Sequence, residues 1–277
     1  MEKESLTQLA TLSHPQRMGV YRLLMRRYPD EVPAGEISQA LGLKPSTASV
    51  YLSALLDSGL AEQRREGTSL RYRADLDGVR GMIGFLVNDC CRGRADLCPD
   101  LGGPEPSPAR KYNVLFICTG NSARSIFAEA LLRRTAGDRF EVYSAGTRPY
   151  SELNPVVIEM LTAKGYDVAP LRAKHMSEFQ GPDAPVMDFV FTVCDQAANE
   201  ECPAWAGQPV SAHWGLPDPV KATGSEAERR LAFQETYGAM KRRIEAFAAL
   251  PVERLDRISL QKAADEIGRT VPGSDSQ

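Results

Sequence analysis

The 277-residue chain has no run of about 18 apolar residues, which excludes a membrane-spanning helix from the reading. The start, MEKESLTQLATLSH, lacks the basic-then-apolar pattern of a secretion signal, so the expected compartment is the cytoplasm. Neither sign of charge dominates: 33 Lys and Arg stand against 36 Asp and Glu, a net of −3. Disorder has little support, because 43% hydrophobic and 25% charged residues suit packed domains. No internal repeat is found. What the chain does have is enough length for about two domains and six cysteines. In a reducing compartment such cysteines are catalytic, metal-binding or inert more often than bridged. They fall into groups: Cys90, Cys91 and Cys98, then Cys118, then Cys194 and Cys202.

The break between domains is PDLGGPEPSPAR, residues 99–110, with four prolines, two glycines and no apolar periodicity. Such a stretch reads as an extended linker. It separates residues 1–98 from residues 111–250. Residues 251–277 read as a tail with a short helix expected near 258–268.

In the first part, Met18, Tyr21, Leu24 and Met25 recur at helical spacing over Pro15–Arg27. A short helix follows over Glu36–Leu41 and is ended by Gly42. Ser46 is placed to cap the next helix, with Val50, Leu52, Leu55 and Leu56 as its apolar face. Two short helices about a glycine turn form a helix-turn-helix pattern. Two strand-like runs then flank a turn at Glu66–Gly67 and carry Arg64, Arg65, Arg71 and Arg73. A reading helix followed by a cationic wing suits DNA, the helix entering the major groove and the arginines gripping phosphate. A helix from Val79 to about Arg92 ends in NDCCRGRADLC. Three thiols within nine residues suit As(III) or Sb(III), soft ions that take a pyramid of thiolates. On an ideal helix Cys90 and Cys91 point about 100° apart, and Gly93 would let the chain unwind to bring Cys98 back. Zinc fits less well, since no histidine lies nearby.

The run LSHPQRMGVYRLL…EISQALGLKPSTASVYLSALLDSGLAEQRREGTSLRYRADL closely resembles the ArsR family of winged-helix repressors, over about residues 5–92. The resemblance implies a homodimer formed through this domain, a palindromic DNA operator, and release when a metal or metalloid binds. Ser46, Thr47, Ser49 and Tyr51 fall on the presumed recognition helix. The Cys90–Cys91 pair with Cys98 resembles the sensing site of some arsenic-responsive members.

The second part opens with a buried-strand pattern, KYNVLFI, that runs into CTGNSARS and then into an amphipathic helix. Loop N–H groups and a helix N-terminus would converge there on a tetrahedral oxyanion. Thr119, Gly120, Asn121, Ser122, Ala123 and Arg124 form that candidate cradle. Cys118 starts the loop and Arg124 ends it. The helix end and Arg124 are expected to depress the Cys118 pKa, and Ser125 can hydrogen-bond the sulfur. The loop lacks the Gly-Lys-Ser/Thr ending of a nucleotide-triphosphate loop. Cys194 closes the strand-like run Val190–Val193, where open α/β sheets bind ligands, and Cys202 follows across a polar loop. His213 is read as a packed structural residue, His175 as a surface residue with no partner in view, and Lys241, Arg242 and Arg243 as a solvated face.

CTGNSARS, the SAG at 144–146 and HWGLPDP at 213–219 together resemble the low-molecular-weight tyrosine phosphatase fold, over about residues 111–250. That implies an α/β domain with a four-stranded parallel sheet and helices on both faces. It also places the general acid at Asp218. The Cys194–Cys202 pair resembles the phosphatase-like arsenate reductases, which couple to thioredoxin, glutaredoxin or a small thiol and need no bound cofactor. A second loop cysteine common in that family is Ala123 here. The overall expectation is an α/β chain in which a mainly α winged helix is fused to an arsenate reductase, each half acting on arsenic. The alternative is a tyrosine phosphatase with a regulatory DNA-binding arm.

Overall fold

Proline sets the start of two helices of the first domain. In this computed structural model, which describes residues 2–92, 110–200 and 205–269, Pro15 opens α2 (Pro15–Arg27) and Pro45 opens α4 (Pro45–Asp57). A first-turn proline loses only an N–H that has no helical partner. His14 caps α2 by accepting the Gln16 N–H at 3.3 Å. α4 begins at Pro45 rather than at Ser46, its cap is Lys44, and no side chain makes the capping bond. Ser46 is therefore inside the first turn and exposed.

The chain divides into two compact units, Met1–Leu101 and Gly102–Gln277. In the first, α1 (Glu2–Leu12), α2, α3 (Ala34–Ala40), α4 and α5 (Leu76–Phe85) enclose Val20, Leu23, Leu24, Ile37, Leu52, Leu55 and Leu60. β1 (Val32–Pro33), β2 (Ala61–Glu66) and β3 (Ser69–Ala74) form an antiparallel sheet in the order β1-β3-β2. Glu66 pairs with Ser69, so the hairpin turn is Gly67–Thr68, one residue later than its sequence suggests, with Gly67 at φ +59°. Asp75 caps α5 by accepting from the N–H groups of Asp77 and Gly78. This start lies three residues before the expected Val79. A Cβ at Gly78 would fall 1.7 Å from the Gly59 carbonyl oxygen, so only glycine lets α5 approach that turn. The helix ends in a π-helical turn, Leu86–Cys90, in which Cys91 N–H donates to Leu86 O at 2.9 Å.

In the second unit, β4 (Tyr112–Cys118), β5 (Phe140–Gly146), β6 (Phe189–Thr192) and β7 (Val210–His213) form a four-stranded parallel sheet in the order β5-β4-β6-β7. The chain runs from β4 outward to β5, then returns to place β6 on the other side of β4. That reversal makes a crevice at the C-terminal ends of β4 and β6. α6 (Arg124–Ala136) packs against α9 (Glu226–Ala248) and α7 (Pro155–Ala163). A short α8 (Asp195–Asn199) follows β6. α10 (Arg257–Arg269) packs on β7 and α9. Trp214 anchors this side: its ring stacks on Phe191 at 4.0 Å, and its indole N–H donates to Ala264 O of α10 at 2.9 Å. A buried indole needs such a partner.

Candidate active site and DNA-facing surface

Strand β4 delivers Cys118 to its C-terminal end, and the chain turns at once into α6. Asn121 sits at φ +43° inside that turn. Its backbone N–H donates to Cys118 Sγ at 3.1 Å, and Ser125 Oγ lies 2.9 Å from the same sulfur. A positive φ strains asparagine little, because its short side chain bonds locally. Here Asn121 Oδ1 accepts the Lys174 N–H at 2.7 Å, while Nδ2 donates to Ser125 Oγ at 2.9 Å and Ser144 Oγ at 2.8 Å. Ser144 in turn donates to Glu129, which also takes the Lys174 ammonium at 3.2 Å. The loop thus rests on a buried ionic network drawn from α6, β5 and the segment before Met176. Burial pulls the Lys174 pKa down, and Glu129 opposes this. Ser144, Glu129 and Lys174 were missed as support residues. SAG was legible as a motif, but nothing local marks Glu129 or Lys174 as its partners.

The neighbouring chain closes the loop from outside. Thr147 N–H donates to Cys118 O, Arg148 N–H to Thr119 O, Tyr150 N–H to Gly120 O and Asn154 N–H to Ser122 O. A Cβ on Gly146 would fall 2.6 Å from Thr119 O, which accounts for the glycine of SAG. The exposed Tyr150 ring lies over Gly120, leaving no room for a side chain there. Ala123 is buried at the entry to α6.

Arg124 and Asp218 face each other across the site. Arg124 Nη2 lies 2.8 Å from Asp218 Oδ2, and Nη1 donates to Leu216 O at 2.9 Å. Asp218 also accepts the Val220 N–H at 3.1 Å. Cys118 departs from expectation in one respect. Its thiol pKa is raised, not depressed: burial is the main cause and the charge of Cys194 adds to it. Ser125 and Arg124 pull the other way and are outweighed. The reason is depth, since desolvation disfavours the charged sulfur.

Cys194 follows β6 at the adjacent strand end. Val193 N–H donates to Ile117 O at 2.8 Å, and Cys194 Sγ lies 3.4 Å from Thr119 Oγ1. The buried Cys194 thus reaches the loop that starts at Cys118, although 75 residues separate Thr119 from Cys194. Cys194 also caps α8 by accepting the Ala197 N–H at 3.4 Å. Cys202 lies outside the described residues.

Two sequence readings change and a third stands. Arg243 is not solvated: it is buried and donates to Gly215 O and Gly268 O, both at 3.1 Å, tying α9 to the Asp218 loop and to α10. His175 is on the surface but has partners, Ser177 and Thr147 O. His213 is buried and hydrogen-bonded, as read.

On the first unit, α4 exposes Ser46 and Ser49, and Thr47 is half-buried. Tyr51 turns back into the domain: its hydroxyl donates to Gln16 at 2.6 Å, and its ring is 5.2 Å from His14. Val50 is 65% exposed rather than part of the core, a position that periodicity assigned to the wrong face. On the β2–β3 wing, Arg64, Arg71 and Arg73 pair with Glu31, Glu66 and Glu62. Arg65 is exposed and has no carboxylate partner among the described residues. Cys90 is exposed and Cys91 half-buried. Cys98 lies outside the described residues. No helix among the described residues is long and apolar enough to cross a membrane.

Residues 113–261 match the family described as low molecular weight phosphotyrosine protein phosphatase, and residues 12–64 match a helix-turn-helix domain. An arsenate reductase of Bacillus licheniformis is 36% identical over 139 residues, 50% of this chain and 96% of that protein. An arsenate reductase of Shouchella clausii is 35% identical over 140 residues, again 50% and 96%. A solved structure of an arsenate reductase in its phosphate binding state shares 25% identity, with a TM-score of 0.41. It covers 50% of this chain and 97% of its own.

Proposed function

The chain belongs to the low molecular weight phosphotyrosine protein phosphatase family, and from this we propose that its second half is a thiol-dependent arsenate reductase and its first half a DNA-binding repressor that responds to trivalent arsenic. The observation that carries the enzymatic reading is Cys194 at the strand end beside the nucleophile loop. Hydrolysis of a phosphate ester needs water and one cysteine. Reduction of arsenate needs two electrons, which a second thiol supplies.

Arsenate, as substrate, sits on the loop N–H groups between Thr119 and Ala123, with the Arg124 fork across two of its oxygens. Arg124 leaves Asp218 to do so, and Asp218 is then placed to protonate the departing oxygen. Cys118 attacks arsenic and water leaves. Because burial holds Cys118 towards its thiol form, its proton must move as the sulfur attacks, and Ser125 Oγ is the hydroxyl within reach. Cys194 then attacks the Cys118 sulfur. The S–As bond breaks with its electron pair passing to arsenic, which leaves as arsenite, and a Cys118–Cys194 disulfide remains. In sum, arsenate and two thiols become arsenite, a disulfide and water. Cys202 is assigned the next exchange, freeing Cys118 and giving Cys194–Cys202 for an external reductant, thioredoxin, glutaredoxin or a small thiol. No bound cofactor is required, and the reducing setting this chemistry needs is that of a cytoplasm.

In the first half, α4 is the reading helix, with Ser46, Thr47 and Ser49 towards base edges and the wing arginines on phosphate. Tyr51 contributes by orienting α4 on α2. α1 and α5 pack together and expose Leu6 and Ile83, which supports a homodimer through that face. Cys90 and Cys91, with Cys98, form the As(III) or Sb(III) site. The π-helical turn supports this: it narrows the angle between adjacent side chains, and such turns occur often at functional sites.

The test is arsenate reduction by wild type and Cys194→Ser with thioredoxin, glutaredoxin and glutathione as alternative donors. Wild type is expected to turn over with at least one donor, and Cys194→Ser with none of the protein donors. Rapid aryl phosphate hydrolysis without any arsenite from wild type would favour the phosphatase alternative.

A further inference from the structure

Cys194 is bracketed by a hydrogen-bonded chain that the chemistry above leaves unused. His213, at the end of β7, is the register partner of Thr192 on β6. It is fully buried. Its Nδ1 lies 2.8 Å from Thr192 Oγ1 and its Nε2 lies 3.1 Å from Asp195 Oδ1. Thr192 and Asp195 stand on either side of Cys194, two residues before it and one residue after it. An ionised Asp195 can only accept, so the ring proton belongs on Nε2 and the Thr192 hydroxyl can donate to Nδ1. A Cβ on Gly215 would fall 2.6 Å from His213 Nε2 and 2.7 Å from Asp195 Oδ1, so backbone covers the contact closely.

We propose that His213 and Asp195 are positioning residues for the second thiol, the Thr192–His213–Asp195 chain holding the backbone around Cys194 so that its sulfur faces Thr119 and Cys118. The inference rests on the reductase reading and deepens it. Asp195 and Thr192 are anchored through one imidazole, and the residue between them that does chemistry is Cys194. The step served is the attack of Cys194 Sγ on Cys118 Sγ. There the S–S bond forms, the S–As bond breaks with its pair going to arsenic, and the Cys194 proton passes to arsenite. The Asp195 side chain is 54% exposed.

The experiment uses the full-length chain and the variants Asp195→Ala and Asp195→Asn, the second keeping an acceptor oxygen. Two quantities are read: the single-turnover rate of Cys118–Cys194 disulfide and arsenite formation, and the protection of Cys118 by arsenate against iodoacetamide, which reports the loop alone. Asp195→Ala should slow disulfide formation about tenfold or more. Asp195→Asn should recover most of that rate, and arsenate protection should be unchanged in both. An unaltered disulfide rate in Asp195→Ala would overturn the proposal. So would a parallel loss of arsenate protection, which marks a general structural role. A wild-type chain that forms no arsenite would instead remove the reductase reading, and this inference with it.

Discussion

The two described cysteine groups sit in opposite surroundings. Cys118 and Cys194 are buried at the ends of adjacent parallel strands, with amide, hydroxyl and strand partners fixed around them. Cys90 and Cys91 sit at the end of a helix, one exposed and one half-buried, where the backbone has already left α-helical geometry. Chemistry on an oxyanion gains from donors fixed before the substrate arrives. Capture of a soft ion by thiolates needs access and a backbone that can adjust. On the function proposed above, the same side chain would serve rigidly in one unit and adaptably in the other.

Separation of the two roles can be broken most sharply at Cys118. Cys118→Ser is expected to lower arsenate reduction by about 10⁴-fold or more, while arsenite still releases operator DNA, measured by fluorescence anisotropy. An equal loss of the arsenite response would mean that the two groups are not separate. Next in size is the rigid support. Lys174→Met removes one of two cations from the buried Glu129 carboxylate, leaving it Arg133 and the Ser144 hydroxyl, and should cost about 1.5–3 kcal/mol in denaturant unfolding of the second unit. A cost near zero would show that the network under the loop contributes nothing to its rigidity.

Replacing Cys90 and Cys91 together by serine is the converse of the Cys118 test. Operator release by arsenite should weaken by about tenfold or more, since even the groups that only orient metal ligands are worth that much, while reductase turnover stays at the wild-type level. The smallest effect is a pH profile. Cys118 has a raised thiol pKa, so iodoacetamide alkylation should climb with pH to a midpoint above that of an ordinary thiol. Removing the Cys194 charge by Cys194→Ser should move that midpoint down, since Cys194 is the second cause of the rise. A midpoint below the ordinary value would restore the thiolate expected from Arg124 and the helix end.

Local chemistry was legible and long-range chemistry was not. The strand–loop–helix around Cys118 could be read because the groups that bond its sulfur, Asn121 N–H and Ser125 Oγ, lie within seven residues of it. The hairpin was placed one residue early, because Glu66 keeps its ladder partner while Gly67 alone supplies the positive φ. Val50 was assigned to the core by hydrophobicity, yet α4 turns it outward; periodicity identifies a stripe but not its edge. Arg243 was read as solvated because a Lys-Arg-Arg run looks exposed. The third residue of that run faces inward, and two carbonyls from other segments receive it.

The order of residues by itself determined the two domains' element types, the anion loop with Cys118 and Arg124, and the cationic hairpin. Each depends on neighbours along the chain and on backbone geometry that recurs wherever those neighbours do. Only the tertiary structure decided that Thr119 meets Cys194, that Glu129, Ser144 and Lys174 carry the loop, and that His213 clasps both sides of Cys194. Those contacts exist because the sheet places β6 beside β4 and β7 beside β6. Strand order is set by burial of the whole core, which no local pattern encodes.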